Sequence, residues 1–251
     1  MIETGYVEVA IAVTLMIIAI VLSRWQRIGT EKEIAIGTIQ SFVQLVAVGY
    51  ALEFIFNLDN IFAIMGTLLV MILVGSYTAA RRASHIPHAW AMSFVAILAG
   101  SVVTLGLLLT MGIIKARASY IIPLGGMTVG NSMNCSALVM ERLHSEITGN
   151  RLAVETALAL GKTWREAVSS YFTKAVKAGM MSMLNFLKVV GIVQLPGAMT
   201  GMILAGASPL KAVMIQVIVG YMLTAAVAVT GLVAAHLSVR QMFTPADQLK
   251  I

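Results

Sequence analysis

Cysteine occurs once in the 251 residues, at Cys135, which excludes internal disulfides and a metal cage built from several thiolates. Charge is scarce too. Asp, Glu, Lys and Arg make up 11% of the chain against 59% apolar residues, a balance too apolar for an ordinary soluble domain. The apolar segments hold no paired catalytic carboxylates, no nucleophile–histidine arrangement and no acidic metal cluster, so the chain does not read as an enzyme. The net charge of +6 comes without interleaved aromatic and basic residues, so nucleic acid is not an expected partner. A phosphate-binding loop is excluded as well. Gly161-Lys162-Thr163 would need a glycine at 156, where Thr156 stands, and a helical run rather than a strand precedes the lysine.

What the chain has instead is long apolar runs, seven of them, at 5–23, 34–56, 60–80, 91–114, 119–140, 180–205 and 210–236. A helix needs roughly 20 residues to cross a hydrocarbon core of about 30 Å. Runs of this length exclude strands, and lipid demands that backbone groups be satisfied within the segment. The expected class is all-α: a polytopic membrane protein with about seven transmembrane helices, forming one transmembrane domain over 1–251. Glu3 and Glu8 flank the first segment, and Arg24-Trp-Gln-Arg27 follows it without a small-residue cleavage site, so it reads as an uncleaved anchor. With the N-terminus outside and the C-terminus cytoplasmic, 13 Lys and Arg fall inside and three outside (Lys115, Arg117 and Lys211), with Lys188 the remaining one of 17. The expected location is the cell inner (plasma) membrane, and the basic belt would face anionic lipid.

Polar residues within these runs mark the candidate path. Gln40 and Gln44 share a face of the second segment, with Glu53 and Asp59 at its outer end. Segment five packs Pro123-Leu-Gly-Gly-Met-Thr-Val-Gly-Asn-Ser-Met-Asn-Cys-Ser136 into one crossing. Pro123, Gly125, Gly126 and Gly130 are expected to weaken that helix and admit a close neighbour, while Asn131 and Asn134 need partners. Segment six repeats the theme at Leu195-Pro-Gly-Ala-Met-Thr-Gly-Met202, where Pro196, Gly197 and Gly201 are expected to break the helix. Two interrupted segments are a pointer to where substrate passes. Met127, Gln194, Met199 and Lys188 lie on or beside these stretches. Methionines concentrate here too, at Met133, Met140, Met180, Met181, Met183 and Met202, as adaptable filler for helices that slide or as soft ligands. In the turn Arg81-Arg-Ala-Ser-His-Ile-Pro-His88, two histidines three apart across a proline are too few for a metal site. A metal site cannot be assigned from the sequence.

The stretch 141–179 is the one long polar region, and it holds six of the 17 Lys and Arg. Glu155 to Leu160 favours helix, Gly161 is a stop, and Trp164 to Ala178 resumes a basic helical pattern. This helix–turn–helix outline is suited to docking in a groove on a soluble partner or to lying on the headgroups.

These residues resemble the permease family that includes bacterial iron-export permeases and plant STAR-type proteins linked to aluminium tolerance. The resemblance is strongest at Gln44-Leu-Val-Ala-Val-Gly-Tyr50, Pro123 to Asn131 and Val190-Gly-Ile-Val-Gln-Leu-Pro-Gly-Ala-Met-Thr-Gly201. It implies a transmembrane permease subunit of an ABC exporter, a homodimer of permeases paired with separate ATPase subunits that bind ATP and Mg. No cofactor is expected on this chain. For bacterial members it implies export of iron and a place in metal homeostasis. Glu155, Ala157, Gly161, Arg165 and Glu166 fall in the family's coupling region. Two alternatives stay open: an ion-coupled secondary transporter, for which only Lys188 and Glu8 are ionisable candidates, and an ABC permease for a non-metal substrate such as a nucleotide sugar.

Overall fold

The computed structural model describes residues 6–58, 60–244 and 246–250, so Glu3 and Asp59 of the sequence reading lie outside the described residues. The fold is all-α; among the described residues the only β pairing is two isolated bridges. Two compact units are present, Met1–Asp59 and Asn60–Ile251.

The first unit is a helical hairpin of α1 (Tyr6–Trp25) and α2 (Glu31–Leu58). Its turn is tied by Ser23, whose buried hydroxyl meets Thr30 Oγ1 at 3.0 Å and Glu31 Oε1 at 3.0 Å. Gln40 and Gln44 stand exposed on α2, one turn apart, with no side-chain hydrogen bond among the described residues.

The second unit packs α3 (Ile61–Arg82), α4 (Ala89–Thr110), α5 (Ala118–Gly149), α7 (Trp164–Val189) and α9 (Pro209–Gln241) into a bundle. Two short helices complete it: α6 (Arg151–Ala159) beside α7, and α8 (Gly197–Leu204) beside α9. By length and composition α2, α3, α4 and α9 are each able to cross a membrane. Helices α5 and α7 run past their apolar stretches into the polar region, so the 141–179 loop of the sequence is largely the ends of two long helices around α6.

Segment five corrects an expectation. Pro123, Gly125, Gly126 and Gly130 do not interrupt it, because α5 is one helix of 32 residues with Pro123 inside. Proline near the start of a long helix removes one hydrogen bond, which packing neighbours in a membrane bundle compensate. Gly125 serves packing, since a Cβ there would collide with Leu68 of α3. A Cβ at Gly126 would only touch Met71, at 3.9 Å, and one at Gly130 would meet nothing within 4 Å.

The bundle centre is a three-helix crossing. A Cβ on Gly100 would collide with Thr230 Oγ1 and stand 2.8 Å from the Ala226 carbonyl, so only glycine lets α4 reach α9. Thr230 donates to Ser132 Oγ of α5 at 3.0 Å, and Ser136 donates to Ser93 Oγ of α4 at 3.4 Å. Beside this crossing, Gly179 of α7 leaves room for Val139 and Cys135 of α5. Small residues plus hydroxyl bridges are how helices associate where lipid offers no hydrophobic drive.

Gly100→Ala is therefore expected to destabilise the bundle by about 1–3 kcal/mol. Gly106→Ala, in the same helix with nothing within 4 Å, should change stability by under about 1 kcal/mol. Thermal denaturation in detergent checks the pair; equal midpoints would show that α4 and α9 are not held this closely.

Candidate functional site

Three places hold the residues singled out from sequence. The first is a face of α5. Met127, Asn131 and Asn134 are spaced to share one side of the helix, and Pro123 and Leu138 extend it. Met127 and Asn131 are half-buried, while Pro123, Asn134 and Leu138 are exposed. The opposite side holds Thr128, Ser132 and Ser136, buried against α4 and α9. Asn131 turns its amide onto its own helix, donating to the Met127 carbonyl at 2.8 Å. The stripe faces outward, with Asn131 and Asn134 its two polar members.

The second place is the break in segment six. Helix α7 ends at Val189, Gly191 turns at a φ of 86°, and Pro196 precedes α8. Gly191 N donates to the Gln194 carbonyl at 3.0 Å and Val193 N to the Val189 carbonyl at 2.9 Å, and with Val190, Ile192 and Gln194 also donating, the turn bonds each of its own N–H groups from 190 to 194. Here Pro196 and Gly197 do mark the interruption, with Gly197 the first residue of α8 and Gly201 inside it. The Gln194 side chain and Lys188 are exposed. Met199 lines an open hollow of about 290 Å³ together with Phe186, Val190, Leu195, Val217 and Tyr221. Gln216 of α9 lines it too; only 7% exposed, it has an Oε1 with no hydrogen-bond partner. Sequence reasoning missed Gln216. The signal was available, a lone glutamine in an apolar run, but it lacks the second amide one turn away that made Gln40 and Gln44 conspicuous.

The third place is the turn joining α6 to α7. Gly161 N donates to the Leu158 carbonyl at 2.9 Å and Lys162 N to the Ala157 carbonyl at 3.1 Å, the paired bonds of a glycine-terminated helix. Gly161 has a φ of 86°, which a side chain would strain. Thr163 then opens α7 through a capping box: its Oγ1 accepts from Glu166 N at 3.4 Å, and Glu166 Oε2 accepts from Thr163 N at 2.9 Å. The Thr163 backbone N–H, and then its hydroxyl, hold the Glu166 carboxyl below its ordinary pKa. Glu155 pairs with Arg151 at 2.7 Å within α6, and Arg165 lies 5.2 Å over the Trp164 ring. So Ala157, Gly161 and Glu166 build the turn. The outward surface of α6 and its turn belongs to Leu152 and Leu160, each 78% exposed, which the sequence reading did not single out. Val154, fully buried, anchors the other side.

At the end of α5, Glu146 forms ion pairs with Arg142 at 2.8 Å and with Lys174 of α7 at 3.6 Å, the second linking the two long helices. The His85 and His144 rings meet at a tilt of 49° with centroids 4.3 Å apart, and burial, followed by the His85 charge, lowers the His144 pKa. Among the described residues no three His, Cys, Asp or Glu side chains gather as a metal site.

Helices of this length and apolarity, arranged in a bundle with one broken segment, define a multi-pass protein of the cell membrane. Residues 6–243 match the Uncharacterised protein family (UPF0014), and the chain belongs to that family. It is similar to Protein ALUMINUM SENSITIVE 3 of Arabidopsis thaliana, 38% identical over 246 residues that span 98% of this chain and 90% of that protein. UPF0014 membrane protein YjkA of Bacillus subtilis (strain 168) is 36% identical over 98% of both chains. The Probable iron export permease protein FetB of Escherichia coli (strain K12) is 30% identical over 97% of this chain and 94% of its own length. No solved structure matches the chain.

An unpartnered buried amide is held at a cost, so Gln216→Leu should leave thermal stability unchanged or raise it, by up to about 1–3 kcal/mol, while lowering substrate movement in vesicles. A destabilised variant with normal transport would show that the amide is structural.

Proposed function

We propose that the chain is the membrane-spanning permease subunit of an ABC exporter that moves a metal cation, iron foremost, out of the cytoplasm. In this reading two copies pair with two ATPase subunits, and ATP and Mg sit on those subunits. The membrane part makes seven crossings with the N-terminus outside, as the distribution of Lys and Arg favours.

The observation that carries the proposal is α6. It is a short helix outside the apolar runs, anchored by Val154 and presenting Leu152 and Leu160 to solvent. A soluble partner with an apolar groove would engage that surface. The glycine turn and capping box then couple α6 directly to α7. Helix α7 is continuous for 26 residues, about 39 Å of rod, and ends at the break beside the Gln216 hollow. Closure of the ATPases would push this rod and favour one of two packings at the break, a population shift driven by ATP binding.

Cargo and direction are supported by the Escherichia coli relative, named as an iron export permease, and the Arabidopsis thaliana relative's name points towards metal as well. The amides of Asn131 and Asn134 on α5, and separately that of Gln216 beside the break, offer neutral oxygens suited to weak, transient contact with hard cations along a path. In the dimer the α5 stripe and the open Gly130 would face the path between the two copies.

Purification from native membranes in mild detergent tests the assembly. The wild-type chain should retain a stoichiometric ATPase, and Leu152→Ser with Leu160→Ser should weaken that association roughly tenfold or more. A chain recovered without ATPase that still moves substrate on an ion gradient would overturn the proposal in favour of a secondary transporter.

A further inference from the structure

Where α7 begins and α9 ends, Trp164, Arg165, His236, Arg240, Phe243, Thr244 and Asp247 line a cavity of about 470 Å³. A second hollow of about 220 Å³ continues from it, sharing Trp164, Arg165 and His236 and adding Ser169 and Phe172. The space is within the range of sites that hold small ligands. Among the described residues neither arginine forms an ion pair; Arg165 contacts only the Trp164 face, and Asp247 is the one carboxylate lining the cavity. The N-terminus of α7 lies at the same spot, its partial positive charge already met by the Glu166 carboxylate of the capping box, so the two guanidiniums are the charges left to an anion.

The surface leading to this cavity is apolar. Met214, Tyr221, Ala225 and Leu232 are exposed at helical spacing along α9, and the same face ends in His236 and Arg240. From Met214 to Leu232 it runs for about 27 Å, most of a hydrocarbon core of about 30 Å, and its half nearer Arg240, from Tyr221, is about one leaflet deep. An apolar stripe that terminates beside two unpaired guanidiniums matches one kind of molecule in both halves.

We propose that this groove binds an anionic phospholipid, its phosphate held by Arg165 and Arg240 and an acyl chain lying along α9. A free phosphate or nucleotide would use the arginines and leave the stripe without a role. Trp164 is suited to the boundary, with an apolar body and a single N–H donor at the headgroup level. Because Trp164 and Arg165 open α7 directly after the α6 turn, a bound lipid would steady the segment through which the proposed partner acts. The lipid site itself stands independently of that partner.

Native mass spectrometry of the full chain, released from nanodiscs of phosphatidylglycerol and phosphatidylcholine, tests this. The wild-type chain should retain phosphatidylglycerol in preference to phosphatidylcholine. R165Q/R240Q should lower that retention on the order of tenfold. R165K/R240K should keep most of it, and the charge-matched K115Q/K211Q should behave as wild type. If R165Q/R240Q does not fold, R240Q alone should show a smaller loss in the same direction. Equal retention by the glutamine and control variants would overturn the proposal. So would displacement of the lipid by millimolar inorganic phosphate, which would make this a free-anion site. Loss of a bound ATPase with lipid retention unchanged would give the arginines to the protein partner and overturn the lipid assignment as well.

Discussion

The approach of α4 to α9 at Gly100 sets the geometry on which the second unit depends. With no Cβ at that point the two backbones come close enough for Thr230 to reach Ser132, and the hydroxyl pair brings α5 into the same crossing. Helices in lipid gain little from burying apolar surface against each other, because the acyl chains are equally apolar. Close contact and shared hydroxyls must define the packing instead. That is why the interior holds Ser76, Ser93, Thr104, Thr128, Ser136 and Ser238 among alanines and valines, several of them bonded within their own helix.

With that side of α5 committed to packing, the remaining side is free for function, and it is the side with Asn131 and Asn134. The same logic separates the two ends of α7. Its first turn is locked by reciprocal hydrogen bonds between Thr163 and Glu166, whereas its last turn runs into a glycine turn beside a hollow with an unsatisfied amide. The backbone of the break is itself bonded from Val190 to Gln194, so the unpaired group there is the Gln216 Oε1 of α9 facing it.

Much of this was legible in the sequence. Apolar runs marked the helices, and Pro196 with Gly197 marked the break, because backbone chemistry is local. The α6 turn was legible at Gly161 for the same reason. Segment five was misread, since Pro123 and three glycines look alike whether they break a helix or admit a neighbour, and only Leu68 and its helix decide between these. Gln216, Leu152 and Leu160 were missed because their significance lies in burial or exposure, which no spacing rule reveals. The helix from Trp164 was legible in the sequence, but the continuation of α5 through 141–149 was hidden by its charge, which resembles a loop when read without Glu146, Arg142 and Lys174 in contact.

Central to the functional reading is that the α5 stripe borders an aqueous path and not lipid. The direct measurement is thiol accessibility in native membranes: Cys135→Ser to remove the native thiol, then Asn134→Cys or, as a control on the exposed face of α4, Val102→Cys. Asn134→Cys should react with a water-soluble maleimide and Val102→Cys only with a reagent that partitions into the bilayer. An Asn134→Cys thiol that ignores the water-soluble reagent and takes the lipophilic one would place the stripe against acyl chains and contradict the path assigned to it.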